Sequence, residues 1–209
     1  MRVIVAALLV ALSLFGSGFL RGRNRVPKTR ADVERVAGDL PVSAGILPVG
    51  LWAAEGITLS STGFADGHAG QRMSRQWMVY DRCEATCRRW IARTTSQGVQ
   101  RGPLERDRGH WLVVFARTTE GCGNSRRGAQ RQAFAFTLGA DHIHATAIEV
   151  NNARFPGCRQ LAPLRRADLN ARSTMRWTAV LNSPICPGVP SCREIVSPGQ
   201  PEVEPDVSA

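Results

Sequence analysis

The chain has 209 residues, 43% of them hydrophobic, which is enough for one packed domain and excludes global disorder. Its formal net charge is +10, but six basic residues lie at or before position 30 and four acidic ones lie after position 193, so the body, residues 31–193, carries +8. That moderate excess is not the dense basic footprint of a specific nucleic-acid binder, and none is expected as a partner.

Residues 3–20 form an uncharged apolar run behind Arg2. Such a run resembles the helical core of a signal peptide or an N-terminal membrane anchor. Arg21, Arg23, Arg25, Lys28 and Arg30 follow it as a basic flank, so residues 1–30 are read as a leader that is cleaved or holds the body at a membrane. The flank by its charge favours the cytoplasmic side, whereas the cysteines favour export. Residues 31–45, with Gly38, Pro41 and Gly45, are read as a linker; a short helix fits from Arg30 to Val36.

From Ile46 the pattern becomes strand-like, with runs rich in β-branched and aromatic residues between glycine and charged clusters. The runs are Gly50–Thr62, Arg72–Arg82, Cys87–Thr95, His110–Thr119, Gln130–Leu138, Asp141–Val150 and Thr174–Leu181. Alternation puts Phe134, Phe136 and Leu138 on one face of their strand, and Met175, Trp177, Ala179 and Leu181 on one face of the last. Gly139-Ala-Asp141 reads as a hairpin connection. Ala-Arg-Thr-Thr occurs twice, at 92–95 and 116–119, at the ends of two neighbouring runs. In the first, Trp90, Ala92 and Thr94 face one way and Ile91 and Arg93 the other, and the arginines are expected on a solvated face. Pro163 suits the first turn of a short helix over Leu161–Ala171. These elements predict an all-β fold, an antiparallel meander barrel or sandwich of seven or eight strands over residues 46–194. Residues 195–209, acidic and proline-rich without an aromatic residue, are expected to be a disordered tail.

Six cysteines suit three disulfides. Cys186 and Cys192 enclose Pro-Gly-Val-Pro-Ser, a turn that brings them within bridging distance. Cys83, Cys87, Cys122 and Cys158 then share two bridges in one of three ways. No Cys-x-x-Cys pair supports a redox enzyme, and Cys83-x-x-x-Cys87 lacks the second pair that a zinc site needs. A secreted or otherwise extracytoplasmic location follows from this cysteine usage.

Catalytic patterns are sparse. Gly-x-Ser-x-Gly and His-Glu-x-x-His are both missing. His142 and His144, at i and i+2 of a strand, can hold a metal if a third ligand such as His68, His110 or Glu149 comes near; a solvent-facing pair beside a turn is the simpler arrangement. Glu120-Gly-Cys-Gly-Asn-Ser125, with His110 upstream, resembles the cysteine turn of L,D-transpeptidases, which act on bacterial wall peptides, although the Ser/Thr-x-Gly-Cys context and a His-Gly are missing. A bridged Cys122 is inert, and no cofactor is expected.

Gly50-Leu51-Trp52 opens the first strand, and Arg176 lies on the last. This resembles lipocalins and their calycin relatives, whose first barrel strand opens with Gly-x-Trp and whose late-strand arginine packs over the tryptophan. The resemblance implies an eight-stranded meander around an apolar ligand, with Trp52 and Arg176 as site residues. A second surface for partners is the arginine set Arg72, Arg75, Arg88, Arg89, Arg93, Arg126, Arg127 and Arg131, suited to an anionic envelope component. The function expected is an exported, non-enzymatic binding protein of a bacterial-type cell envelope that holds an apolar ligand. The alternatives are a secreted enzyme using Cys122/His110 or a His142/His144 metal, and an interaction module without a small-molecule site.

Overall fold

Inward apolar and outward polar residues alternate along the strands, and that period-two pattern curls the sheet around a core. The computed structural model describes residues 29–65, 67–95, 98–120, 122, 127–162, 165–186 and 192–195. The expected leader up to residue 28 and the expected tail from residue 196 lie outside them. The elements are a helix α1 (Thr29–Ala37) and strands β1 (Gly50–Thr62), β2 (Arg72–Cys83), β3 (Cys87–Thr95), β4 (Gly98–Pro103), β5 (Glu105–Asp107), β6 (His110–Glu120), β7 (Arg127–Leu138), β8 (His144–Ala162), β9 (Arg165–Ser183) and β10 (Arg193–Ile195).

The main sheet runs β4-β3-β2-β1-β9-β8-β7-β6-β5, with every neighbour antiparallel, and β10 adds to β2 in parallel. Pairing of β1 with β9 joins the beginning of the meander to its end. The two ends of the path, β4 and β5, flank the single residue Leu104. β4 pairs with β3 and β5 with β6, so the ring closes through the chain itself, and the result is a nearly closed barrel. Gly102 lets β4 lie against β6: a Cβ there would stand 2.6 Å from Val113 Cγ2. The architecture is compatible with the expected lipocalin-like barrel, but the path holds nine strands rather than seven or eight. The uncounted ones, β4 and β5, are short and rich in glycine, proline and charge, so they carry no strand-like apolar pattern.

The helix expected at 161–171 is not formed. β8 extends to Ala162 and β9 begins at Arg165, one long hairpin. Inward Ala171, Ser173, Met175, Trp177 and Ala179 are buried at every second position, and this alternation carries the strand back through the region. Residues 31–45, expected as a linker, belong to the domain. The short helix forms as α1, and its Val33 and Ala37 pack on the outer faces of β6, β7 and β8 against Leu112, Ala135 and Ile148. Asp32 accepts a hydrogen bond from Asn152 Nδ2 at 3.2 Å.

The segment that follows closes one end of the barrel. Ser43 N donates to Gly109 O and Ala44 N to Leu138 O, at 2.9 and 3.0 Å. Trp111 Nε1 donates to Gly45 O at 2.7 Å, and Leu47 enters the core. Behind this plug stand Trp52, Trp77, Phe136, Trp177, Phe134 and Phe115 in one apolar cluster. Trp77 meets Phe136 edge-on at 5.3 Å between ring centres. A third cluster, on the outside of β2 and β3, sets Tyr80 and Ala92 against Cys186 and Cys192.

All six cysteines are bridged: Cys83–Cys87 between facing residues of β2 and β3, Cys122–Cys158, and Cys186–Cys192. Gly157, with φ of 67°, allows the irregularity in β8 from which Cys158 reaches Cys122. Three disulfides fit an oxidising, extracytoplasmic environment. Among the described residues, no helix is long and apolar enough to cross a membrane.

Candidate functional site

The inward faces change character partway along the barrel. On β3 the sequence of inward residues is Ile91, then Arg93; on β6 it is Val113, Phe115, Arg117; on β7, read the other way, it is Leu138, Phe136, Phe134, Gln132, Gln130. On β8 it is Ala145, Ala147, Glu149, Asn151. The plugged end is therefore aromatic and the opposite end polar.

Arg93 marks the border. It is only 2% exposed, and its guanidinium lies 4.5 Å from the Phe115 ring centre and 4.9 Å from that of Phe134. Its Nε and Nη2 donate to Gln100 Oε1 at 2.9 and 2.7 Å, and Nη2 also donates to Gln132 Oε1. Nη1 stands 3.7 Å from Glu149 Oε1 and makes no hydrogen bond among the described residues. Glu149, 1% exposed, accepts from Gln132 Nε2 at 3.1 Å and from Trp177 Nε1 at 3.0 Å. Burial pushes the Arg93 pKa down to about 10; the Glu149 charge opposes that shift, and the Arg75 and Arg117 charges add to it.

Beyond this border opens a cavity of about 630 Å³. Met73, Met175, Leu169, Phe64 and Phe155 give it apolar walls, and Arg75, Arg117, Gln130, Gln132, Glu149 and Asn151 give it a polar floor. Its size lies in the range of small-molecule sites. Arg117 donates to Gln130, whose Nε2 donates to Asn151 Oδ1 at 2.7 Å. Burial, with the Arg75 charge, lowers the Arg117 pKa. The Arg75 guanidinium lies over the Trp177 ring at 5.6 Å, and its Nη2 lies 3.6 Å from Met73 Sδ. Phe64 meets Phe155 edge-on at 6.1 Å at the mouth, and the Cys122–Cys158 bridge forms part of the rim.

Trp52 and Arg176 are not brought together. Trp52 is 1% exposed, sits near the plugged end, faces Leu181 across the β1–β9 pair and donates from Nε1 to Pro48 O at 3.1 Å. Arg176 pairs with Ile57 and is exposed on the outer wall, in a shallow groove with Glu55, Arg72 and Thr178. The apolar interior expected around Trp52 is filled by side chains, and the open space lies at the other end.

Cys122 is bonded to Cys158, and His110 starts β6 while Cys122 follows its end, so the two cannot act together. His110 Nδ1 lies 3.2 Å from Thr137 Oγ1. His142 lies in the β7–β8 turn with φ of 60°, and β8 begins only at His144, so the two histidines do not share a strand face. His144 is exposed, with Nδ1 2.6 Å from Asp141 Oδ2. Among the described residues no cluster of three metal-ligating side chains occurs.

The arginines divide. Arg72, Arg88 and Arg131 are exposed on the outer wall, but Arg75 and Arg93 point inward, as does Arg117 of the second Ala-Arg-Thr-Thr. The repeat's arginines, expected on a solvated face, lie instead on the inward face, because Arg93 shares the parity of Ile91, and Arg117 that of Val113 and Phe115. Gln130 and Gln132 were not singled out from sequence. Their signal was present: they continue the Phe134, Phe136, Leu138 face.

No protein-family model, no curated protein and no solved structure matches this chain.

Proposed function

We propose that this protein is an exported, non-enzymatic binding protein that holds one small molecule in the open half of its barrel. The observation that carries the reading is the cavity of about 630 Å³ between the polar border at Arg93 and the mouth at Phe64 and Phe155. A ligand with an apolar body fits its Met and Phe walls. A wholly apolar one would displace water from the polar floor and offer it no polar group in return, so the expected apolar ligand becomes an amphipathic one. The compartment rests on the three disulfides. The lipocalin-like reading is kept at the level of the barrel and its interior site.

The test uses an uncharged naphthalene probe, N-phenyl-1-naphthylamine, followed by its own fluorescence and by quenching of tryptophan emission. Saturable binding of one probe per chain is expected. Ser173→Trp fills the cavity from β9 and abolishes binding while the thermal transition stays within a few degrees of the parent. Binding that survives the filled cavity would place the probe elsewhere and remove the proposal.

A further inference from the structure

Two guanidinium groups, Arg75 and Arg117, line the cavity floor with Glu149, the one carboxylate among its described lining residues, and Arg93 lies beneath them beside that carboxylate. Both Glu149 oxygens are already engaged, one by Gln132 and one by Trp177. Arg75 stacks over Trp177 and has only a sulfur contact, with no carboxylate in ion-pair reach among the described residues. Nη1 of Arg93, in a side chain 2% exposed, faces Glu149 Oε1 at 3.7 Å without a hydrogen bond. Like charges held together above an aromatic core repel one another, and the low dielectric strengthens that repulsion. The lowered pKa values of Arg93 and Arg117 have this repulsion among their causes. Positive charge gathered on half-buried side chains beside empty space is stabilised by a negative group placed in it.

We infer that the ligand is an anionic amphiphile, whose carboxylate, sulfonate or phosphate head is held by Arg75 and Arg117 while its apolar body lies along Met73, Met175 and Phe155. The inference rests on the cavity-binding reading above and adds the charge of the ligand to it. Guanidinium forks match planar or tetrahedral oxyanions with two parallel N–H donors, which makes the arginines the groups that choose the ligand. Arg93 acts from beneath as a positioning residue, fixing Gln132 and the charge of the floor.

The experiment compares two probes on one skeleton, 8-anilinonaphthalene-1-sulfonate and uncharged N-phenyl-1-naphthylamine, by equilibrium titration. The sulfonate probe binds on the order of tenfold to a hundredfold tighter. Arg75→Gln and Arg117→Gln each weaken the sulfonate probe more than its uncharged analogue and so remove most of that preference. Arg176→Gln, on the outer wall, alters neither. Should an inward variant fail to fold, the parent protein still discriminates: added sodium chloride weakens the sulfonate probe and not its uncharged analogue. Equal affinity for the two probes would overturn the anionic assignment and leave cavity binding standing. Failure of both to bind would overturn cavity binding itself. A sulfonate preference lost in Arg176→Gln would move the site to the outer groove and overturn this inference.

Discussion

Arg93 and Glu149 are both almost fully buried, and each satisfies a different set of neutral donors and acceptors. Removing one member leaves the other as an unpaired buried charge. Glu149→Ala is expected to lower the unfolding free energy by about 3–5 kcal/mol in urea titration. Adding Arg93→Met to it restores part of the loss, because the double variant buries no lone charge; a strictly additive double variant would show that the two groups do not interact. Gly56 is a different constraint. A Cβ there would stand 2.7 Å from the Trp177 ring, so Gly56→Ala costs about 1–3 kcal/mol by the same measurement. Asp141 lies in the β7–β8 turn, where the backbone N–H and ring of His144, and then the N–H of Ile143, hold its pKa at about 2, below its ordinary 3.8. A depressed carboxylate stabilises the fold fully above its unfolded pKa and loses that contribution as pH falls through the folded one. The melting temperature of the parent therefore exceeds that of Asp141→Ala at pH 5, and the gap narrows towards pH 2. At this scale parity was legible but its direction was not: Arg93 shares the face of Ile91 and Gln132 that of Phe134, yet the arginines, expected on a solvated face, turn inward. What parity could not say is that the inward face stays polar where the barrel widens into a cavity, since a period of two assigns a face and not its depth along the axis.

At the scale of elements, the strand bounds of β1 and β3 agree with the residues read as strand-like runs, because β1 opens at a glycine and keeps its alternation and β3 opens at a cysteine. The distal half of the β8–β9 hairpin was hidden. Residues 151–162 and 165–173 carry few large apolar side chains, and Pro163 imitates a helix start. Only the pairing across the hairpin, Asn151 with Ser173 and Arg154 with Asn170, makes them strands. The Cys122–Cys158 bridge ties the end of β6 to this hairpin across 36 residues. Cys122→Ser with Cys158→Ser is expected to lose about 3–4 kcal/mol on the chain-entropy account. The uncharged probe should bind that variant more weakly as well, because the bridge forms part of the cavity rim. Helix α1 was visible as a helix but not as part of the domain. Its docking depends on Val33 and Ala37 meeting the outer face of a sheet whose order no local pattern reveals.

The whole molecule is a nearly closed barrel with two unlike ends, and the proposed ligand site rests on that difference. One end is plugged by the segment around Gly45 and Leu47 over an aromatic cluster drawn from five strands, β1, β2, β6, β7 and β9. The other is open, polar and positively charged. The strand-like runs indicated an all-β meander, barrel or sandwich, and the cysteine count indicated three disulfides. The location of the open space was beyond them, because it depends on which end the chain folds back to fill. The Gly-Leu-Trp motif pointed to the end that proves to be filled. The most direct measurement is a crystal structure of the protein with 8-anilinonaphthalene-1-sulfonate. The account predicts density for one probe inside the barrel, its sulfonate between Arg75 and Arg117 and its rings against Met73 and Met175. Density only on the outer wall, beside Arg72 and Arg176, would contradict it.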